Sequence, residues 1–275
     1  MGLILVATDF SQNCSNVLKK AIHLADKLQF DLKVVHVIED GIFDFHDNSS
    51  KVRFNCMNFL NKNFPQIEEN NFYIKSGSTQ EEISKLSKKL DASLLVIGTS
   101  GEHFTFERMI MGSTTKKIIR SLDIPTLVIK NSEITDYKYI LTPTDFSKES
   151  KDAIEASFKL FPESRINLLN VYSVPFESRL NMYGIDKEHA NEYVSNIAKE
   201  NLDEGNRFIN SFTSNKNKLF LSIENDVLAS EHFRDDSSHW LDGIDLVSLH
   251  TTGSISFFTF DMLEKSKKDV LIFKT

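Results

Sequence analysis

The sequence contains an internal repeat, which constrains the fold more than any other feature. The stretch ILVATDFSQNCSNVLKKAIHLA, from Ile4 to Ala25, returns as ILTPTDFSKESKDAIEASFKLF, from Ile140 to Phe161, at a constant shift of 136 residues. Self-similarity over such a length is typical of a chain built from two copies of one structural unit. We therefore expect two domains, residues 1–131 and 137–275, joined by the polar linker NSEITDYK at 131–138.

Each copy alternates strand-like and helix-like segments. In the first copy, apolar runs such as LLVIG at 94–98 alternate with segments whose apolar residues recur at helical spacing, as do Ile83, Leu86 and Leu90. Strands that alternate with helices of about 10 to 15 residues indicate a parallel sheet covered by helices on both faces. The predicted class is α/β, with two doubly wound, Rossmann-like parallel-sheet domains in tandem.

Charge and cysteine content exclude several kinds of partner. The net charge of -7 disfavours a nucleic-acid or anionic membrane surface, because such partners need clustered Lys and Arg. Cys14 and Cys56, the two cysteines of the chain, lie in helix-like patterns and indicate neither a disulfide framework nor a Cys-based metal site. The sequence shows neither a signal-peptide pattern nor an apolar run of about 18 residues. We expect a cytoplasmic protein that binds neither nucleic acid nor membrane.

The motif TDFS follows the first strand of both copies and introduces Asp9 and Asp145. Ligands of open parallel sheets gather at the carboxyl ends of the strands, so both aspartates lie where a ligand would bind. A single aspartate before a helix is more often a cap that satisfies the helix N-terminus. Its presence in both copies favours a binding site, although common ancestry of the two copies would preserve it equally well.

A second candidate segment, GTSGEHFTFERMIMGST, runs from Gly98 to Thr114, between a buried strand and a helical pattern. Glycines let backbone N–H groups approach phosphate oxygens, and hydroxyl residues at a helix start lie beside the positive end of its dipole. The alternative is that the glycines only turn the chain and Ser113 caps a helix without a ligand. Taken alone, this alternative is the stronger, because glycine motifs of this looseness often arise by chance. His36, within a strand, is interpreted as a core or strand-end histidine.

Several stretches together resemble one known family. These are ILVATDFS, VVHVIE, LLVIGTSG, GSTTKKIIR and IPTLVIK. The chain resembles a tandem universal stress protein with two UspA-type domains over essentially its whole length. The nucleotide-binding members of that family share Gly, two residues, Gly, nine residues, Gly, then Ser or Thr. This sequence departs from the pattern in one respect, since ten residues separate Gly101 from Gly112.

The resemblance implies an adenine-nucleotide site in the first copy. The end of the first strand would hold the ribose or the adenine edge, the second strand would read adenine through its backbone, and the glycine-rich segment would hold the phosphates. In that order the residues are Ala7, Thr8 and Asp9; Val37; and Gly98, Gly101, Gly112, Ser113 and Thr114. The implied ligand is ATP or another adenine nucleotide, with Mg²⁺, bound for regulation rather than for rapid hydrolysis. No residue stands out as a catalytic base or as a protein ligand of a metal.

The second copy departs further from the family pattern. His250 replaces the first glycine, Gly253 matches the second, and no Gly-Ser-Thr follows. We expect this copy to be nucleotide-free, with Asp145 structural, and the two halves to pair within one chain through their last strands. Homodimerisation stays open. A different reading is a nucleotide-free interaction module in which both sites have decayed; an adenylating or electron-transfer enzyme ranks last.

Overall fold

The structure is a computed structural model that describes residues 2–11, 13–39, 45–99, 113–225, 243–251 and 266–274. The chain divides into two compact units: unit 1 comprises Met1–Asp136 with His250–Thr275, and unit 2 comprises Tyr137–Leu249. Residues 250–275, which the repeat assigns to the second domain, therefore group with the first unit. The repeat-based domains 1–131 and 137–275 stay a prediction.

The described residues of the two units form ten strands and six α-helices. The strands are β1 (Leu3–Ala7), β2 (Asp31–Ile38), β3 (Phe72–Ser76), β4 (Leu94–Gly98), β5 (Thr126–Ile129), β6 (Tyr139–Pro143), β7 (Arg165–Tyr172), β8 (Leu219–Asn225), β9 (Leu246–Thr251) and β10 (Asp269–Lys274). The helices are α1 (Cys14–Leu28), α2 (Phe45–Asn63), α3 (Thr79–Lys89), α4 (Ser113–Ser121), α5 (Lys148–Leu160) and α6 (Lys187–Asn210). Short 3-10 helices lie at Glu69–Asn71, Glu177–Tyr183 and Lys216–Lys218.

The sheet of unit 1 has the strand order β3-β2-β1-β4-β5-β10. The first five strands are parallel, and β10 joins β5 in antiparallel orientation. This confirms the predicted α/β class with a mostly parallel sheet. The order reverses beside β1, since the chain goes from β1 to β2 on one side and returns through β4 on the other. Such a switch point opens a crevice at the carboxyl ends of the strands.

The strands of unit 2 are ordered β9-β6-β7-β8, all parallel. This order matches β4-β1-β2-β3 of unit 1, as expected from the repeat. Both aspartates of the TDFS motifs therefore follow the strand at the corresponding place in their units.

The central strands are buried because their side chains are apolar on both faces. Ile4, Leu5 and Val6 of β1 are fully buried, and so are Ile140 and Leu141 of β6. Helix α1 is amphipathic, and its apolar side packs on β1, β2, β4 and β5. Among the described residues, no helix combines the length and the apolar character needed to cross a membrane.

Candidate functional site

The TDFS segment of unit 1 forms a tight turn directly after β1. The Thr8 amide donates to the Val35 carbonyl at 3.0 Å, and the Phe10 amide donates to Thr8 Oγ1 at 3.2 Å. The Ser11 amide donates to Asp9 Oδ1 at 2.9 Å, the hydrogen bond typical of aspartate in a turn. Asp9 itself is exposed. The turn therefore fixes the aspartate backbone and presents the carboxylate to solvent.

Strand β2 supports this turn from the side. His36 Nδ1 lies 2.8 Å from the Thr8 carbonyl oxygen, which can only accept, so Nδ1 carries the proton. The Phe10 ring packs edge-on against His36, with ring centroids 5.2 Å apart. These contacts support the interpretation of His36 as a strand-end residue that holds the turn. Val37, the next residue, lies in β2 opposite Lys75 of β3.

The TDFS segment of unit 2 repeats this geometry almost contact for contact. The Phe146 amide donates to Thr144 Oγ1 at 3.0 Å, and the Ser147 amide donates to Asp145 Oδ1 at 3.0 Å. Asn170 Nδ2 donates to the Thr144 carbonyl at 2.9 Å, so this asparagine has the role of His36. Both turns are thus folded in the same way by the same short motif.

One contact distinguishes the two aspartates. Ser150 Oγ, in the first turn of α5, donates to Asp145 Oδ1 at 2.6 Å. The residue at the same place in the repeat is Cys14, a buried thiol whose pKa is raised by burial, with the Asp9 charge adding to the shift. A thiol is a much weaker donor than a hydroxyl. Asp145 is therefore tied to the helix that follows it, which fits a structural role.

Gly98 ends β4 at the same edge of the sheet. A Cβ atom at this position would lie 3.3 Å from Val17 Cγ2 of α1, closer than an ordinary contact, so glycine allows the helix to pack here. Gly101 and Gly112 lie outside the described residues. Ser113 and Thr114 are the first two residues of α4.

Thr115, which the sequence analysis did not single out, connects α4 to β4. Its side chain is buried, and Oγ1 donates to the carbonyl oxygens of Gly98 at 3.3 Å and Thr99 at 3.4 Å. The run of three hydroxyl residues at 113–115 was the sequence signal for it, but nothing local tells which hydroxyl turns inward.

Parallel strands bring most of the predicted site residues to one edge. β1 lies between β2 and β4, so their carboxyl ends are adjacent. The residues at or just beyond these ends, or at the start of the helix that follows β4, are Ala7, Thr8, Asp9, Val37, Gly98, Ser113 and Thr114. An exposed carboxylate and a helix N-terminus can together receive a ligand with hydroxyl or amino donors and an anionic group. Within the described ranges, no cluster of three or more His, Cys, Asp or Glu residues could hold a metal ion.

Comparison with known proteins agrees with this architecture. A protein of Staphylococcus saprophyticus described as a universal stress protein is 27% identical over 145 residues, which are 48% of this chain and 86% of the relative. The solved structure of a universal stress protein from Archaeoglobus fulgidus covers 99% of this chain and 98% of its own, at 16% identity and a TM-score of 0.65. A functionally unknown protein from Pseudomonas aeruginosa covers 99% of this chain and 92% of its own, at 15% identity and a TM-score of 0.57.

The structural similarities, at such low identity, show the fold alone. At the level of sequence, residues 1–53 and 58–130 match the model of the universal stress protein family. These residues include β1, the TDFS turn, β4 and α4, which carry the candidate site. This part of the chain is therefore similar to the universal stress protein family.

Proposed function

We propose that unit 1 binds an adenine nucleotide, ATP with Mg²⁺, as a regulatory ligand in a cytoplasmic stress response. The observation that carries this proposal is the exposed Asp9 carboxylate at the switch point of the sheet, beside the ends of β2 and β4. In a nucleotide the ribose hydroxyls and the adenine amino group are donors that a carboxylate accepts. The match of residues 1–53 and 58–130 to the model of the universal stress protein family supports the same ligand.

Each part of the nucleotide would meet a different element. Asp9, with Ala7 and Thr8 beside it, would hold the ribose or the adenine edge, and the Val37 backbone would read adenine. The first N–H groups of α4, at Ser113 and Thr114, have no acceptor within the helix and would bind phosphate. Gly98 is the last residue of β4, the strand that precedes α4 along the chain, and the proposal extends to Gly101 and Gly112. Mg²⁺ would be held mainly by phosphate oxygens and water, as is usual for this ion.

The ligand is proposed to regulate rather than to turn over rapidly. Fast hydrolysis needs a base that orients the attacking water. His36 is committed to the Thr8 carbonyl through Nδ1. Since His36 is assigned to supporting the turn and no residue of the proposed site is assigned as such a base, we propose that any hydrolysis is slow.

We further propose that unit 2 binds no nucleotide and that the two repeats form a pseudo-dimer within one chain. The Ser150–Asp145 hydrogen bond supports the first statement, since it gives that carboxylate a second internal donor besides the Ser147 amide. The antiparallel pairing of β5 with β10 supports the second, because β10 is the last strand of the second repeat. Further association into a homodimer is compatible with both.

The alternative function is a nucleotide-free interaction module with both sites decayed. The ten residues between Gly101 and Gly112, one more than the family pattern, favour it. An extra residue there could turn the phosphate donors of Gly112 and Ser113 away from the ligand.

Calorimetric titration of the full chain with ATP and Mg²⁺ tests the two functions. We expect one site per chain, and Asp9→Ala should weaken binding by about 1 to 3 kcal/mol, as for the loss of a hydrogen-bonding charged partner. Asp145→Ala is the matched control and should leave affinity unchanged. Gly112→Val should abolish binding while Gly253→Val should not. Two sites per chain would contradict the asymmetry, and no binding by the unaltered chain would favour the interaction module.

A further inference from the structure

Two strands have a geometry that suits the edge of β5: β10 of the same chain and β5 of a second chain. β5 and β10 occupy the same place in the repeat, since IPTLVIK closes the first copy and VLIFK closes the second. Their antiparallel pairing joins Leu127 to Leu271, which are equivalent residues when the closing Lys130 and Lys274 are aligned. The same geometry would therefore suit β5 of one chain against β5 of a second chain. An unpaired strand edge is a ready template for such association.

A buried ion pair accompanies the strand that is actually bound. Lys20 Nζ, on α1, contacts Asp269 Oδ2 at the start of β10, and their side chains are only 4% and 1% exposed. Lys20 Nζ also donates to Asn131 Oδ1 at 2.7 Å. Asp269 Oδ1 accepts the Lys130 amide at 2.7 Å and the Asn131 amide at 3.3 Å. Both charges have left water, so each depends on the other for compensation.

The repeat supplies neither charge at the equivalent positions. The counterpart of Lys20, 136 residues on, is Ala156, and the counterpart of Asp269 in the aligned last strands is Pro125. If β5 paired with β5 of another chain, Pro125 would offer no carboxylate, and the buried Lys20 ammonium would keep only the Asn131 amide oxygen and the charge of Glu133. If β10 paired with β10, Ala156 would offer no ammonium to Asp269.

We propose that the Lys20–Asp269 pair determines which strand the β5 edge accepts: the chain's own C-terminal strand, and not β5 of a second copy. The pair acts mainly by destabilising the β5–β5 pairing of two chains, because a buried charge without its counter-ion is costly. Lys274 Nζ also meets Asp123 Oδ1 at 2.8 Å across this strand pair. Because the Asp123 side chain is largely exposed, that ion pair contributes little to the choice of strand partner.

Disulfide trapping in the full chain tests the proposal. A single Leu127→Cys substitution lies at the centre of a β5–β5 pairing and can form a disulfide across it only between two chains. Leu127→Cys with Leu271→Cys instead reports the pairing within one chain. With Lys20 and Asp269 intact, we expect the intrachain disulfide from the double variant and essentially no covalent dimer from the single variant after mild oxidation.

Neutralising the pair should relax this choice. In the Lys20→Met, Asp269→Asn background, asparagine Oδ1 can still accept the two backbone amides, but no lone charge penalises β5–β5 pairing. We expect covalent dimer from Leu127→Cys to rise about tenfold or more. The matched control, Lys274→Ala with Asp123→Ala, removes the exposed ion pair and should leave the dimer yield unchanged.

A variant that favours β5–β5 pairing tests the proposal without neutralising Lys20 or Asp269, and so without the loss of stability that neutralising them could cause. Pro125→Asp gives β5 a carboxylate at the place of Asp269, so a β5–β5 pairing would then satisfy Lys20 of both chains. Covalent dimer from Leu127→Cys should increase in this background as well. The proposal is overturned if neither background raises the dimer yield, or if the dimer already forms with the native pair intact.

Discussion

Phe10 and Phe146 show how single residues shape both strand-end turns. Their φ angles are 57° and 61°, in the left-handed region that non-glycine residues usually avoid at a cost of roughly 1–2 kcal/mol. Two contacts offset this cost in each turn. The threonine two residues earlier accepts a hydrogen bond from the phenylalanine amide, and the phenylalanine ring packs on aromatic neighbours. A glycine would adopt the angle freely but would lose the ring contacts. The phenylalanines therefore hold Asp9 and Asp145 in fixed, exposed positions.

The Cys56 thiol of α2 should react slowly in the folded protein. Burial raises its pKa from 9.0 to about 11, and the thiolate is the reactive form. Two pKa units correspond to about a 100-fold lower thiolate fraction near pH 8. Iodoacetamide labelling followed by peptide mass spectrometry should show this ratio between native and urea-unfolded protein. Equal labelling rates in the two states would contradict the burial.

The raised pKa of Cys56 also determines how the free energy of unfolding changes with pH. The unfolded thiol ionises from about pH 9, whereas the folded thiol stays neutral to about pH 11. Because the folded state binds more protons in this window, the contribution of Cys56 to the free energy of unfolding is lost as the pH rises from 9 to 11. A Cys56→Ser variant should show a shallower decline over this pH range.

At the scale of elements, the packing of α6 on β8 depends on one glycine. A Cβ atom at Gly205 would lie 2.5 Å from Leu221 Cδ2 and 3.0 Å from Phe146 Cζ. Alanine normally stabilises a helix interior by about 1 kcal/mol relative to glycine. Here we expect Gly205→Ala to destabilise the protein by about 1 to 3 kcal/mol, because the site is already full. Urea unfolding measures the difference.

A second substitution separates the clash from the helix effect. Leu221→Ala removes the closest side chain, so Gly205→Ala should cost much less in that background than in the unaltered protein. If Gly205→Ala costs the same in both backgrounds, the contact with Leu221 is not its cause.

Elements with a strong apolar pattern were predictable from the sequence. β1 and β4 follow from continuous apolar runs, and α3 follows from the helical spacing of Ile83, Leu86 and Leu90. The edge shared by Asp9 and Gly98 follows in turn from the parallel topology. The inward turn of Thr115 and the Ser150–Asp145 hydrogen bond were not predictable, because they depend on how a helix is seated on a strand. The full length of α6 was not predictable either, because much of that helix is exposed and its apolar pattern is short.

For the whole molecule, the repeat and the compact units describe different things. The repeat in the sequence assigns residues 250–275 to the second copy, whereas the compact units follow contacts and group them with the first. β10 accounts for the difference, since its backbone pairs with β5 and its Asp269 is buried against Lys20. Similarity between the two repeats does not by itself distinguish β5–β10 pairing within one chain from β5–β5 pairing between two chains. The buried pair of Lys20 and Asp269 is proposed above to distinguish them.

Breaking that ion pair should destabilise the protein in a pH-dependent way. Asp269→Asn leaves the Lys20 ammonium buried without its counter-ion, which typically costs about 3–5 kcal/mol. Burial already lowers the pKa of Lys20 from its ordinary 10.5, with Asp269 opposing the shift, so the variant should lower this pKa further. The folded state then holds fewer protons than the unfolded state below pH 10.5, and the stability of Asp269→Asn should rise as the pH approaches that value. Adding Lys20→Met removes the lone charge and should restore much of the stability at pH 7 while abolishing this rise. Urea unfolding of both variants from pH 7 to 10 measures it, and parallel pH profiles for the two would show that Lys20 is not the group responsible.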